Sequence, residues 1–236
     1  MVRPPLEEHT EPRTTASTLN WLRAGVLGAN DGIISTAGLV IGVAAATTDR
    51  TAIITAGLAG LAAGAMSMAV GEYVSVSTQR DSERALLDLE RHELAQMPEE
   101  ELAELAGIYR AKGLSPELAQ QVAVELTEHD ALGAHAEAEL GIDPQELTNP
   151  WHAAWASFIA FTLGALLPLV AIAAVSSQWR VPVTAASVLL ALVLTGWISA
   201  TLGHSPRARA VWRNVLGGFT AMAVTYAIGA LVGTQL

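Results

Sequence analysis

The chain has 236 residues, of which 51% are hydrophobic and only 15% charged, and it contains no Cys. That composition points to a membrane protein and excludes disulfides, thiolate metal sites and cysteine nucleophiles. The formal charge of −10 argues against nucleic acid as a partner.

Residues 1–18 are polar, Pro-containing and aperiodic, and are expected to form a disordered cytoplasmic tail. They lack the basic start of a signal peptide. Apolar segments follow at 24–46, 52–70, 153–175, 181–202 and 215–233. Each is long enough to cross a hydrocarbon core of ~30 Å as a helix. Breakers separate them: TTDRT at 47–51, SSQWR at 176–180 and GHSPRAR at 203–209. Pro168, inside the third segment, is expected to kink that helix and not to end it.

Between the second and third segments lies an acidic insert, 81–147, with seventeen Asp/Glu against four Lys/Arg. A field of that size attracts cations and repels nucleic acid and anionic lipid heads. Its pattern predicts three helices. The first continues the second span to about Gln96. Pro98 with Glu99, Glu100 and Glu101 starts the next, which ends near Gly113. Ser115 and Pro116 then supply an N-cap and a first helical residue. The third helix runs to about Leu140 and stops at Gly141. Leu86, Leu89, Leu94, Leu102, Leu105, Ile108, Leu118, Val122 and Leu126 recur at helical spacing, which predicts a small bundle packed on that stripe.

Arg placement sets the expected orientation. Arg3, Arg13 and Arg23 precede the first span; Arg80, Arg84 and Arg91 follow the second; Arg207, Arg209 and Arg213 precede the fifth. Only Arg50 and Arg180 occupy the other two loops. The positive-inside rule then places the N-terminus and the insert in the cytoplasm and the C-terminus outside. The fold expected is therefore an all-α integral membrane protein. It has five transmembrane helices and a cytoplasmic three-helix acidic insert between helices two and three. The domains would be the tail at 1–18, helices one and two at 19–80, a metal-binding insert at 81–147, and helices three to five at 148–236. Gly38 with Gly42, and Gly60 with Gly64, have the spacing that lets helices approach closely. They fit packing within one chain or a dimer seam.

Asp31, in GANDGII, is a carboxylate inside the first span, and an intramembrane carboxylate is a functional-site hypothesis by default. Counting rise along the antiparallel second span puts Met68 at about the same depth, within roughly one helical turn. Glu72 follows Met68 by four residues and shares its face. Neither span holds a basic residue that could neutralise Asp31. In the insert, Glu90 with Glu93, Glu101 with Glu104, and His135 with Glu139 form three pairs at helical spacing. Such pairs offer oxygen and nitrogen ligands suited to divalent metals, although a solvated acidic face looks similar. The ExxH spacing of ferritin-like di-iron proteins is absent, as are nucleotide-binding loops, HExxH and GxSxG.

Taken together, GANDGIIST, AGAMSMAVGEYVSVSTQRD and ELTEHDALGAHAEAELGID give a chain that resembles the vacuolar iron transporter family. The resemblance covers about residues 19–236. It implies a homodimer whose path lies between the first two helices of each subunit, exchanging Fe²⁺ for protons. It assigns the travelling ion to Asp31 and Met68, the adjacent carboxylate to Glu72, and metal collection to Glu90, Glu93, Glu101 and Glu104. The last pair departs from the Met-and-Glu pattern of some members, reading His135 and Glu139. Arg outnumbers Lys twelve to one, which points to a bacterial member in the cytoplasmic membrane.

The function expected is export of Fe²⁺ or Mn²⁺ from the cytoplasm in exchange for protons, with no tightly bound cofactor and no catalytic role. The partners would be divalent metal ions, protons, the lipid bilayer and a second copy of the chain. Two rivals use the same insert: a membrane-tethered ferroxidase, and a metal sensor or buffer that carries no flux.

Overall fold

The computed structural model describes residues 14–145 and 147–234, with side chains from Gly25 onward. The helices are α1 (Thr14–Ala46), α2 (Arg50–Gln96), α3 (Pro98–Ala111), α4 (Pro116–His135), α5 (Pro150–Ala174), α6 (Arg180–Leu202) and α7 (Arg207–Gly233). A π-helical turn, Ala136–Leu140, extends α4. No strand occurs among the described residues. The first helix begins at Thr14, inside the segment expected to be irregular; residues 1–13 of that tail lie outside the described residues. Among the described residues, five helices are long and apolar enough to cross a membrane: α1 over Gly25–Ala46, then α2, α5, α6 and α7. Pro168 sits within α5 without ending it.

The chain divides into two compact units. An acidic unit spans Tyr73–Pro150, and the apolar unit comprises the remainder. The 47-residue α2 contributes to both.

The core of the apolar unit gathers Ile33, Val40 and Ile41 from α1, Ile53 from α2, Ile172 from α5, Leu192 from α6 and Met222 from α7. Small residues bring these helices together. A Cβ at Gly164 of α5 would strike the backbone of Ala29 on α1, and one at Gly32 would strike the backbone of Phe161 on α5. On the other flank of α1, Gly42 lies against Thr225 and Gly229 of α7. Gly38 likewise meets Thr225, while Gly60 accommodates Leu39 and Gly64 accommodates Phe161. Both glycine pairs singled out in the sequence therefore serve packing within one chain.

The loops at one end of this unit are tied by side chain to backbone. Asp49 caps α2, its Oδ1 accepting from the Thr51 N–H at 2.9 Å. Arg50 donates to the Ala173 carbonyl at the end of α5, at 2.5 Å. Arg180 donates to the Thr48 carbonyl just past α1, at 3.4 Å. The last carbonyls of a helix lack intrahelical partners and carry partial negative charge. Of the two arginines outside the main basic clusters, Arg50 thus serves the end of α5 and Arg180 ties down the loop between α1 and α2.

In the acidic unit, Leu105, Ala106 and Ala123 form the core, with Leu102, Tyr109 and Leu126 around them. This differs from the expected leucine stripe, because Leu86, Leu89 and Leu118 are exposed. Leu87 is buried instead, and Glu90, three residues on, is buried with it. Turning that carboxylate inward turns Leu89 outward, since successive helical residues point about 100° apart. Ser115 caps α4 as expected, accepting from the Leu118 N–H.

Replacing Gly164 by Val should lower the melting temperature of the detergent-solubilised protein, the overpacking costing about 1–3 kcal/mol. Gly217→Ala should not lower it, because nothing lies within 4 Å of a Cβ placed there.

Candidate metal centres

Asp31 sits on α1 one turn before Ser35, whose hydroxyl donates to the Asp31 carbonyl at 2.6 Å. That bond occupies the Ser35 proton and does not involve the Asp31 carboxylate. A cavity of about 220 Å³ collects Asp31, Thr36, Gly60, Ser67, Met68 and Phe161 among its lining residues. Gly60 and Gly64 of α2 admit the Leu39 and Phe161 side chains at its wall. Asp31 and Met68 thus share one cavity, joining a hard carboxylate to a soft thioether. Thr36 is buried and its Oγ1 has no hydrogen-bond partner. Glu72, one turn beyond Met68, is half-buried and is not among the residues lining this cavity. The hydroxyls of Ser35, Thr36 and Ser67 were not singled out in the sequence. The four-residue step from Asp31 to Ser35 was the available signal, since it stacks both on one face.

In the acidic unit a different donor set converges. His135 is fully buried, and its Nδ1 lies 3.0 Å from a Glu90 carboxylate oxygen, 3.5 Å from Glu101 and 4.0 Å from Glu139. The 3.0 Å approach lacks hydrogen-bond geometry, for neither His135 nitrogen nor Glu90 Oε1 has a hydrogen-bond partner. Two ligands about 2.1 Å from one ion and at right angles to each other stand about 3.0 Å apart. The spacing therefore suits a shared cation. One ligand atom from each of Glu90, His135 and Glu139 lies within 4.8 Å of the others. Glu101 is buried beside them. Glu93 is half-buried and Glu104 exposed, so the structure brings four of the six predicted ligands close and leaves two at the margin.

Local backbone explains the convergence. The helix expected to run unbroken to Leu140 is interrupted at Asp130, whose φ of −159° and ψ of 91° are extended. Its Oδ1 accepts from the Gly133 N–H at 3.0 Å, which caps a fresh helical start. That restart and the π-helical turn carry His135 and Glu139. Gly141 then ends the element at φ 65°, a left-handed conformation that favours glycine. The Asp130 cap was readable as Asp three residues before Gly133, but inside an otherwise helical pattern it carried little weight.

Burial raises the Glu90 carboxyl to about 7, with further pressure from the negative charges of Glu139 and Glu101. Glu101 is raised by burial and then by Glu104, and Glu139 by the same two causes. Burial lowers His135, with Glu104 partly opposing. The site thus presents a neutral imidazole, with a lone pair available to a metal, among carboxylates that favour their protons. A cation would displace those protons and relieve the mutual repulsion.

The sequence profile of the VIT family matches residues 22–230. The chain is 41% identical over 224 residues to a vacuolar iron transporter of Acanthamoeba castellanii, covering 94% of this chain and 82% of that protein. It is 40% identical over 216 residues to vacuolar iron transporter homolog 1 of Arabidopsis thaliana, covering 91% and 84% respectively. A VIT-like transporter 1b of Glycine max is 37% identical over 216 residues, covering 91% and 77%.

Three outcomes are expected for the full-length protein. Apparent affinity for a divalent transition metal should rise with pH through about 7, as Glu90 loses its proton, and Glu90→Gln should flatten that rise in titration calorimetry. His135→Ala should weaken binding by more than the roughly 10- to 100-fold typical of losing an outer-shell partner. The stability sign is opposite for the metal-free protein. Its folded Glu90 binds a proton more tightly than the unfolded carboxyl, whose ordinary value is 4.5. That contribution is fully present below the ordinary value and lost as pH rises through about 7. Metal should therefore raise the melting temperature more at pH 8 than at pH 5.

Proposed function

The chain belongs to the VIT family, and from that we propose that it exports Fe²⁺, with Mn²⁺ as a second cargo, from the cytoplasm in exchange for protons. It is a multi-pass membrane protein whose relatives are named as transporters, and it is a carrier of metal ions, not an enzyme. The observation that carries the reading is the single cavity holding Asp31 and Met68 within the membrane-crossing helices. A carboxylate and a thioether together suit a divalent transition metal and disfavour Mg²⁺ and Ca²⁺, which take oxygen ligands.

In this reading the acidic unit collects the ion on Glu90, Glu101, His135 and Glu139, with Glu93 and Glu104 adding to the attracting field. Glu72 then passes the ion to Asp31 and Met68. Proton and metal compete for the Asp31 carboxylate, so loading from one side releases a proton and unloading at the other restores it. The acidic unit would lie in the cytoplasm with the N-terminus, and the C-terminus outside, as the arginine distribution suggests.

A homodimer belongs to the same proposal. Asp31 is exposed on the single chain, and a carboxylate cannot face lipid without large cost. A second copy packed over that flank would cover it and complete the wall of the path.

The test is Fe²⁺ flux in proteoliposomes under an imposed pH gradient. Asp31→Asn should lose at least about 90% of the wild-type rate, a loss that needs only ~1.4 kcal/mol of lost stabilisation. Met68→Leu should reduce discrimination against Ca²⁺. An Asp31→Asn protein that carries Fe²⁺ at the wild-type rate would sink the reading. Flux that proceeds equally without a proton gradient, and moves no protons, would sink the exchange step alone.

A further inference from the structure

Three polar side chains meet inside the apolar unit, apart from the residues that line the Asp31 cavity. Thr195 Oγ1 of α6 lies 3.3 Å from Asn30 Oδ1 of α1, and it accepts from Asn214 Nδ2 of α7 at 3.5 Å. The same hydroxyl is 3.3 Å from the Leu192 carbonyl in its own helix. All three side chains are half-buried. None is ionisable, so the group is neither a charge relay nor a strong cation site. Backbones come close around it: a Cβ at Gly196, next to Thr195, would strike the Val211 backbone on α7. Gly218 of α7 packs against Leu192 and Ile34.

Asn30 immediately precedes Asp31. On a helix these neighbours point about 100° apart, so when Asn30 is held toward α6 and α7, Asp31 is turned into the cavity it shares with α2 and α5. Gly28, Gly32, Gly38 and Gly42 let α1 approach its neighbours closely, and the polar contacts at Asn30 add direction to that packing. Hydrogen bonds are directional and weaken steeply off axis. We propose that Asn30, Thr195 and Asn214 are positioning residues that set the rotation of α1, and through it the direction in which Asp31 faces its cargo. This rests on the reading of Asp31 as the ion-carrying carboxylate.

The absence of Cys from the chain permits a direct test on the full-length protein in lipid nanodiscs. Asp31→Cys is introduced as a reporter, and its rate of modification by a charged thiosulfonate reagent is measured with and without Thr195→Val. That second change removes the hydroxyl and keeps the shape. In parallel, the Asp31 protein with Thr195→Val, Thr195→Ser or Asn214→Leu is assayed for Fe²⁺ flux per folded molecule. The expected result is a several-fold change in labelling rate with Thr195→Val. It should be accompanied by a several-fold rise in the half-saturating Fe²⁺ concentration with little change in maximal rate, and Thr195→Ser should restore both. Asn214→Leu should reproduce the effect if Thr195→Val fails to fold. Unchanged labelling overturns the proposal. So does a fall in melting temperature with labelling and half-saturation unmoved, which would make the trio simple packing. If the wild-type protein carries no Fe²⁺, the transport reading fails, and the labelling arm still decides whether the trio orients α1.

Discussion

A carboxylate on a membrane-crossing helix must be kept from lipid, and the single chain packs α1 closely on two flanks while leaving Asp31 itself exposed. The helix that carries it is sealed on one flank by α5, through Gly32 and Gly164, and on another by α7, through Gly42 and Gly229. These contacts bring backbones to distances that any Cβ would prevent. The hydrophobic effect gives helices no reason to associate in hydrocarbon, so dispersion contacts over these glycine faces supply much of the cohesion. On α2, Gly60 and Gly64 receive the side chains of Leu39 and Phe161, beside the cavity that holds Asp31 and Met68. The same residue type admits a backbone on two flanks and a side chain on the third. Which result follows depends on what stands opposite: a backbone or small residue in the first case, Leu39 and Phe161 at the edge of a cavity in the second.

The acidic unit answers to a different constraint. Burying Glu90, Glu101 and His135 together opposes folding, because each carboxylate raises the cost of ionising the next. The apolar core that offsets this is small and rich in Ala. Folding without metal is eased by protons on these carboxylates, and folding with metal by the cation, so the two ligands act on one charge balance. The Asp130 break matters here. An uninterrupted α4 would set His135 by the register established at Ser115, whereas a new cap lets the last turns adjust to α2 and α3 independently. The left-handed Gly141 then ends the element where Asp143 and Pro144 follow.

Much of this was legible in the sequence because length and hydropathy decide it. The apolar segments, the run of α2 to Gln96 and the Ser115 cap each rest on local signals that tertiary context did not override. So did the pairing of Asp31 with Met68, since counting rise along two antiparallel helices gives depth without knowledge of packing. What failed was rotation. The leucine stripe at Leu86, Leu89 and Leu118 was assigned inward on periodicity, yet Leu87 and Glu90 face the bundle. Periodicity assumes that apolar residues win the interior, and the buried Glu90 inverts that preference over one turn. The glycine pairs illustrate a second limit: spacing reveals that a helix face is smooth, but not which partner lies on it. The Thr195 contact was invisible for a simpler reason, being 165 residues from Asn30 in the chain.

On the transport reading, the two donor sets explain each other. Each combines hard carboxylate oxygens with one softer atom, an imidazole nitrogen at His135 and a thioether sulfur at Met68. Abundant Mg²⁺ and Ca²⁺ gain little from either softer atom, so both sites discount them in the same direction. The sites differ in how tightly they ought to hold. Four carboxylate and imidazole groups converge in the acidic unit, whereas the cavity offers one carboxylate, one thioether and hydroxyls. An ion passing from the first to the second therefore exchanges a charged, many-donor site for a sparser one, and that step is uphill unless something offsets it. Protons taken up by the vacated carboxylates, which burial and mutual repulsion already push toward protonation, supply part of the offset. The raised carboxylates of the acidic unit would then do more than tune affinity: they would allow a site built to capture metal also to release it.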